Sequence, residues 1–446
     1  MRRIPTPPNI WDALGQHADR LAEVWAEPRY QEATRRCEEK YRHWDTIRYL
    51  ARSENLDPEL LWTMVKSTRM SRIRRLPFVD TAQQPLGFTI PDRLQQEIMM
   101  IDQQLGGRIT FDDNSPVTES QRNRFIVSSL MEEAIASSQL EGASTVHRVA
   151  KEMLRRNRPP RDRSEQMIVN NYRAILFIRG NIDIHLTPEF LIDLQRILTE
   201  NTLDDEEQSG RLRHNGDSVV VEDPYGELLH TPPDASTLPE RLGWLCDFAN
   251  EDPHQTKPFI HPVIRAMALH FQLAYDHPFC DGNGRTARAL FYWSMLQQKY
   301  WLFEFLAISR LIYKTPSKYG RAFQYVETDQ FDLTYFLYYH AEILSQARLE
   351  LQRYLAKKQR NMRLARDAFS GLDVNDRQRA VLMAAVDRPT REFTIEQHQA
   401  DQAISYHTAR ADLLNLEAKG CLERRKVGKK FVFTATSKIR DHVSHS

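Results

Sequence analysis

The sequence predicts a mainly α-helical protein. Three observations predict it. Apolar residues recur at spacings of three and four over most of the chain, β-prone alternation is confined to two short stretches, 218–230 and 422–434, and Pro or Gly stands at several boundaries between periodic segments. A length of 446 residues with 41% hydrophobic content is enough for ordinary buried cores. A net charge of +1 gives no global case for nucleic acid or membrane, so any basic surface is local. MRRIPTPPNI lacks the apolar run of a signal peptide, and no stretch approaches the roughly 18 apolar residues of a membrane span. The chain is therefore expected to be soluble and cytoplasmic. Cys37, Cys246, Cys280 and Cys421 lack C-x-x-C spacing, which argues against zinc or a disulfide framework.

Residues 1–107 form a helical N-terminal region with no recognisable chemistry. Trp11, Leu14, Leu21 and Trp25 give its apolar spacing, and Arg69, Arg72, Arg74 and Arg75 read as a solvated face. From Leu76 to Gly107, Pro and Gly punctuate a connector and a short helix. A helix over 125–142 follows, with Phe125, Leu130, Ala134, Ile135 and Leu140 apolar and Gly142 as its stop; Glu132 and Glu133 read as surface charges. Arg155 to Arg163 is an exposed basic loop, because adjacent prolines stop the helix. Helices are expected over 164–179, 188–199, 238–250 and 261–275, the last starting with Pro262 at its first position. Ser218 to Val221 and Leu228 to His230 read as two strands around an Asp223-Pro224-Tyr225-Gly226 turn, within a hairpin over 217–232. A long helical linker spans 333–372. After it come three short helices, the third over 405–419 with Ser405 as N-cap and Gly420 as stop, and a hairpin turning at Val427-Gly428.

The chemistry is concentrated in His277 to Arg288, HPFCDGNGRTAR. Gly282, Asn283 and Gly284 can turn their backbone N–H groups inward as an anion-binding nest at the start of a helix. Arg285 and Arg288 lie three apart on that helix, where both forks can reach phosphate oxygens. Asp281 is a hard oxygen ligand suited to Mg²⁺, and His277 titrates near neutrality and can take a proton from an attacking hydroxyl. These are parts for holding a polyphosphate. Cys280, inside the loop, reads as packing.

The loop matches without a gap the pattern H-x-F-x-[D/E]-G-N-G-R-x-x-R, and in this the chain resembles Fic-domain protein adenylyltransferases. The resemblance implies a Fic-type helical core over 108–332 with a β-hairpin flap at 217–232. It implies that ATP with Mg²⁺ is bound by the loop and AMP is passed to a Ser, Thr or Tyr hydroxyl of a target protein. His277 is then the base, Asp281 the Mg²⁺ ligand, Gly282 to Gly284 the α/β-phosphate nest, and Arg285 and Arg288 the β- and γ-phosphate contacts. Ser137, Glu141 and Gly142 match the inhibitory pattern [S/T]-x-x-x-E-[G/N], which implies that Glu141 pairs with Arg288 and keeps it from the γ-phosphate. Tyr319 matches the first of an aromatic pair near the nucleotide, and Gly320 departs at the second. The flap is implied to align a target's backbone beside the ATP, and relatives commonly dimerise and modify themselves. The same site could run in reverse, with Glu141 orienting a water that removes AMP.

Residues 373–446 resemble a winged helix-turn-helix. That resemblance places Tyr406, His407, Thr408 and Arg410 near base edges and Arg424, Arg425, Lys426, Lys429 and Lys430 on a wing facing phosphate. The winged module supports, as the alternative of another class, a regulator with DNA as partner and a nucleotide-sensing core, although winged helices also bind proteins. No membrane partner is expected.

Overall fold

The computed structural model describes residues 4–106, 119–222, 225–253, 255–368, 372–387, 390–402, 404–427 and 430–437. The chain divides into two compact units, Met1–Arg108 with Arg124–Arg348, and Ile109–Asn123 with Leu349–Ser446. It is mainly α-helical. Among the described residues no helix is long and apolar enough to cross a membrane.

The first unit opens with α1 (Ile10–Gln16), α2 (Ala18–Ala26), α3 (Pro28–Glu39), α4 (Trp44–Ser53) and α5 (Pro58–Met70). Leu21, Val24, Ala33, Ile47, Leu61 and Val65 make their shared core. Trp11 and Trp25 do not join it and are 65% and 43% exposed. The backbone leaves helical geometry at His17, so Trp11 and Leu14 belong to a different helix from Leu21 and Trp25. The arginine cluster also divides. Arg72, Arg74 and Arg75 are exposed, whereas Arg69 is 1% exposed, donates to Glu38 at 2.7 Å and Tyr335 at 2.8 Å, and lies over the Tyr41 ring.

The expectation of only two hairpins is also corrected. β1 (Arg74–Val79) and β2 (Pro85–Phe88) pair antiparallel as a further one. Leu76 and Phe78 are buried while Arg75 and Pro77 face outward, and the Asp80 carboxylate closes the turn by accepting from the N–H groups of Ala82 and Gln84. Period-two burial in a stretch this short is hidden by its proline and arginines.

The chain then continues helical: α6 (Asp92–Leu105), α7 (Glu119–Leu140), α8 (His147–Arg156), α9 (Arg163–Gly180), α10 (Pro188–Thr199), α11 (Leu238–Asn250), α12 (Pro262–Asp276), α13 (Asn283–Gln297), α14 (Ile308–Lys314), α15 (Pro316–Thr328) and α16 (Thr334–Ala368), with α7 belonging to the first unit from Arg124 and α16 as far as Arg348. The Phe125 side chain lies outside the described residues. Between α10 and α11, β3 (Val221–Glu222) and β4 (Leu228–His230) form the expected hairpin, with a first strand shorter than the 218–221 reading; Asp223 and Pro224 of its turn lie outside the described residues. The α12–α13 pair is the centre, with Phe271, Phe279, Phe291 and Trp293 essentially without solvent contact.

In the second unit α17 (Asp376–Asp387), β5 (Phe393–Thr394), α18 (Ile395–Gln402) and α19 (Tyr406–Ala418) precede β6 (Leu422–Val427) and β7 (Lys430–Ala435), in a sheet ordered β5-β7-β6. Ser405 caps α19 by accepting from the Thr408 N–H, and Leu382, Leu413, Leu416 and Phe433 fill the core. Gly428 and Lys429 lie outside the described residues.

A buried polar network ties the N-terminal helices to the junction of α15 and α16. Lys66 meets Asp329 at 2.5 Å, the Tyr335 hydroxyl donates to the same carboxylate at 2.7 Å, and the Tyr41 hydroxyl donates to Asp332 at 2.7 Å. Lys66 and Asp329 side chains are 3% and 2% exposed, so removing one partner strands a charge out of water. Asp329→Ala is expected to destabilise the protein by about 3–5 kcal/mol, read as a lower urea midpoint.

Candidate active site

The site is built where α12 stops. His277 leaves the helix in the left-handed region, φ +48° and ψ 56°, which a non-glycine residue adopts only when its surroundings hold it there. Arg213 supplies the hold. Its Nε donates to the His277 carbonyl at 2.8 Å, its Nη2 to the Asp276 carbonyl at 3.3 Å, and its backbone N–H to the Pro278 carbonyl at 2.9 Å. Three successive carbonyls thus find donors from one buried residue. Sequence reasoning missed Arg213, because nothing in its local pattern marks it.

The protonation of His277 follows from its contacts. Nδ1 lies 3.3 Å from the Ala274 carbonyl, which can only accept, so Nδ1 carries the hydrogen. Burial lowers the ring pKa to about 4; the Ala274 carbonyl and Glu141 oppose the shift, while His230 and Arg213 add to it. At neutral pH the ring is therefore neutral, with an unprotonated Nε2.

The loop after His277 is fastened from within. Phe279 is buried, and Asn283 grips its backbone twice, accepting from its N–H at 2.9 Å and donating to its carbonyl at 2.7 Å. Gly282 caps α13 at φ +87°, and a Cβ there would stand 3.0 Å from Thr199 Cγ2. Gln195 joins the loop to the chain before the hairpin, donating to the Asp281 carbonyl at 3.2 Å and accepting from the Gly210 N–H at 2.7 Å. Asp281 keeps a carboxylate 42% exposed, with Oδ1 accepting from the Gly282 N–H at 2.6 Å and Oδ2 3.1 Å from Arg285. Burial and the nearby Asp217 carboxylate push the Cys280 thiol up to about 11, which favours the protonated form at neutral pH.

The two arginines have different surroundings. Arg285 is 1% exposed and donates to the Leu198 carbonyl at 2.8 Å as well as to Asp281. Arg288 is held by the inhibitory-pattern residues: Nε donates to Ser137 Oγ at 2.9 Å, and Nη2 to the Ser137 carbonyl at 3.0 Å and Glu141 Oε1 at 2.8 Å. Burial works against the Glu141 carboxylate, but Arg288, Arg285 and His277 outweigh it and hold its pKa below the ordinary value. The same oxygen lies 2.4 Å from where a Cβ of Gly284 would be. An anion therefore already sits against the start of α13, beside both arginines. Gly142 turns the chain away after α7 at φ +91°.

Tyr319 is packed among Phe323, Phe336 and Tyr339, with its hydroxyl 2.8 Å from Nε2 of the buried His270. The β3–β4 hairpin is pinned by His230, whose Nε2 is 2.8 Å from the Tyr275 carbonyl and whose Nδ1 is 2.8 Å from Glu327. Burial disfavours its charged form, yet Glu327, the Tyr275 carbonyl and Asp276 together raise its pKa. The other face of the hairpin exposes Val220 and Leu228 at 45% and 51%. Glu133, read as a surface charge, is instead 2% exposed beside Tyr292 and Ser309.

Residues 185–295 match the model of the Fic/DOC family. A "Protein adenylyltransferase Fic" from Nematostella vectensis is 37% identical over 79 residues, which is 18% of this chain and 16% of that protein. A "Uridine 5'-monophosphate transferase" from Xanthomonas campestris is 31% identical over 105 residues, 23% of this chain and 19% of that one. A solved structure of a Fic family protein from Desulfovibrio desulfuricans G20 aligns over 77% of this chain and 95% of its own, with 19% identity and a TM-score of 0.49. The matches to the two named enzymes thus span less than a fifth of their lengths. Residues 185–295, which contain the HPFCDGNGRTAR loop, are a domain of the Fic/DOC family.

Proposed function

We propose that the chain is a protein adenylyltransferase restrained by Glu141. The observation that carries the reading is the Glu141 carboxylate, ionised, 2.8 Å from Arg288 and pressed against Gly284 at the mouth of α13. A helix start lined with arginines is an anion site, and Glu141 has the charge and position to stand in for a phosphate. In the transfer, a target hydroxyl oxygen bonds to the α-phosphorus of ATP, the bond to the β-phosphate oxygen breaks, and pyrophosphate leaves. His277 Nε2 takes the hydroxyl proton. Gly282 to Gly284 cradle the α- and β-phosphates, and Arg285 and Arg288 hold the outer ones.

Among the described residues no group of three or more acidic, His or Cys side chains could hold a metal alone. Asp281 suits an ion that takes one carboxylate and completes its shell with substrate phosphates and water, as Mg²⁺ does. When bound, such an ion neutralises phosphate charge. Tyr319 is the candidate base contact, and the uridylyl-transferring relative makes ATP against UTP part of the test.

Removal of AMP by the same residues is the second reading. It is favoured by the 27% exposure of the Glu141 side chain and its electrostatic contact with His277, which suit a group that orients water. In the second unit we propose a winged helix whose exposed Tyr406, His407 and Arg410, with Thr408, meet a major groove. Arg424, Arg425 and Lys430 pair with Glu417, Glu392 and Glu396, so phosphate must compete with those carboxylates. Lys426 is exposed on β6.

Incorporation of α-labelled ATP into protein, run beside α-labelled UTP, tests the leading reading. Glu141→Gly should raise labelling at least about fivefold over the parent, on a target or on the chain itself. Adding His277→Ala should lower it by about 10²–10⁴. A Glu141→Gly protein that binds ATP and never labels anything sinks the transferase reading, and loss of AMP removal in that variant would favour the reverse one.

The pH dependence has a definite sign. His277 acts as base only when unprotonated, so the Glu141→Gly rate should stay level as pH falls from neutrality and drop only toward about 4. Glu141 is among the groups favouring the imidazolium, so its removal moves that limb lower still. A half-maximal rate near pH 6.5, the ordinary histidine value, would show that burial does not lower the His277 pKa in the working enzyme.

A further inference from the structure

α7 is fastened to the core along one polar stripe. Ser129, Glu133, Ser137 and Glu141 are spaced by four and share a helix face. Each has a partner: Ser129 Oγ donates to the Phe305 carbonyl at 2.7 Å, Ser137 and Glu141 hold Arg288, and Glu133 meets α13 and α14 together. Glu133 Oε2 accepts from the Ser309 N–H at 2.8 Å and lies 3.0 Å from the Tyr292 hydroxyl, while Oε1 accepts from Ser309 Oγ. Tyr292 is one turn beyond Arg288 on α13, and Glu133 is one turn before Ser137 on α7. The two helices are thus matched turn for turn.

A carboxylate 2% exposed is an unfavourable group to bury, and burial raises its pKa against the donors that face it. The apolar residues around it, Leu130, Ala134 and Ile135, would pack in more than one alignment, since apolar contact is not directional. The Ser309 donors are directional. A slide of α7 by one turn, about 5.4 Å, would keep much of the apolar contact and take Glu141 away from Arg288.

We propose that Glu133 is the positioning residue of the Glu141 restraint: through Ser309 and Tyr292 it fixes the alignment of α7 on α13 and so keeps the Glu141 carboxylate on Arg288. This rests on the reading of Glu141 as an inhibitory group.

The test uses the full chain as parent, Glu133→Ala, Glu133→Gln, Glu141→Gly and the Glu133→Ala/Glu141→Gly double variant. Two readouts are taken: incorporation of α-labelled ATP, and amide hydrogen exchange over 126–140 against α12 and α13. Glu133→Ala should raise labelling at least about fivefold, and should change it less than about twofold where Glu141 is already gone. Exchange in α7 should quicken while α12 and α13 stay protected. Glu133→Gln keeps an acceptor oxygen for Ser309 and should stay close to the parent. A role in folding alone would lower labelling in both backgrounds and expose α12 and α13 as well. Should Glu133→Ala fail to fold, Ser309→Ala removes the Oγ donor without touching α7, with the same labelling and exchange changes expected at smaller size. Unchanged α7 exchange, or parent-level labelling beside a strongly labelling Glu141→Gly, would overturn the inference. Silence of Glu141→Gly itself would count against the transferase reading instead, and the exchange result then decides the positioning role alone.

Discussion

The guanidinium of Arg288 is the group around which the site is arranged. Its side chain is 4% exposed, so its charge must be met by groups within the protein or by a ligand. Burial works against the cation, and Glu141, with Tyr319 and Glu133, offsets that cost, so the pKa of Arg288 is raised. Ser137 adds a hydroxyl and a carbonyl to the same guanidinium. The position of α7 is thereby coupled to the start of α13. A change that frees Arg288 without offering it another anion leaves a bare buried charge, whereas one that offers a phosphate does not.

A second constraint prepares His277. The residue sits in an unfavourable backbone region at a helix end, and the carbonyls that α12 leaves unpaired there are met by Arg213. The same turn brings Nδ1 to the Ala274 carbonyl and fixes the tautomer. Arg213 lies only a few residues before the β3–β4 hairpin, and His230 pins that hairpin back to Tyr275 on α12. Hairpin, histidine and loop therefore share one support. Displacing Arg213 would release the carbonyls of Asp276, His277 and Pro278 together.

What was legible in the sequence was what local spacing encodes. The His277 to Arg288 loop could be read because its glycines, asparagine and arginines act within a few residues of one another. Asn283 illustrates the limit: its place at the start of a helix was visible, but its side chain bonds Phe279, four residues back in a loop whose path the sequence does not draw. Glu133 carried a signal in the S-x-x-x-E-x-x-x-S-x-x-x-E stripe, lost because a charged residue beside Glu132 looks like a solvated pair. Arg69 carried none. Its partners Glu38 and Tyr335 are 31 and 266 positions away, so only tertiary folding turns a helix-end arginine into a core residue. The β1–β2 hairpin was missed for a related reason, since Leu76 and Phe78 are too few to outweigh the proline and arginines around them.

On the proposed reading, the restraint is an exchange of anions rather than a lock. Breaking a buried ion pair costs about 3–5 kcal/mol when it leaves one charge alone. A terminal phosphate arriving as Glu141 departs keeps Arg288 compensated, so most of that penalty does not arise, and the balance rests on smaller terms. One is the return of the Glu141 carboxylate, already about a quarter exposed, to water. The other is the set of bonds that Ser129, Glu133 and Ser137 make along α7, which must loosen or hold as Glu141 swings away. Each is worth about 1 kcal/mol or a little more. Terms of that size shift a population by roughly tenfold without unfolding anything. A partner that touched only α7 could therefore move the site between restrained and open, and the stripe from Ser129 to Glu141 is where such a touch would be felt.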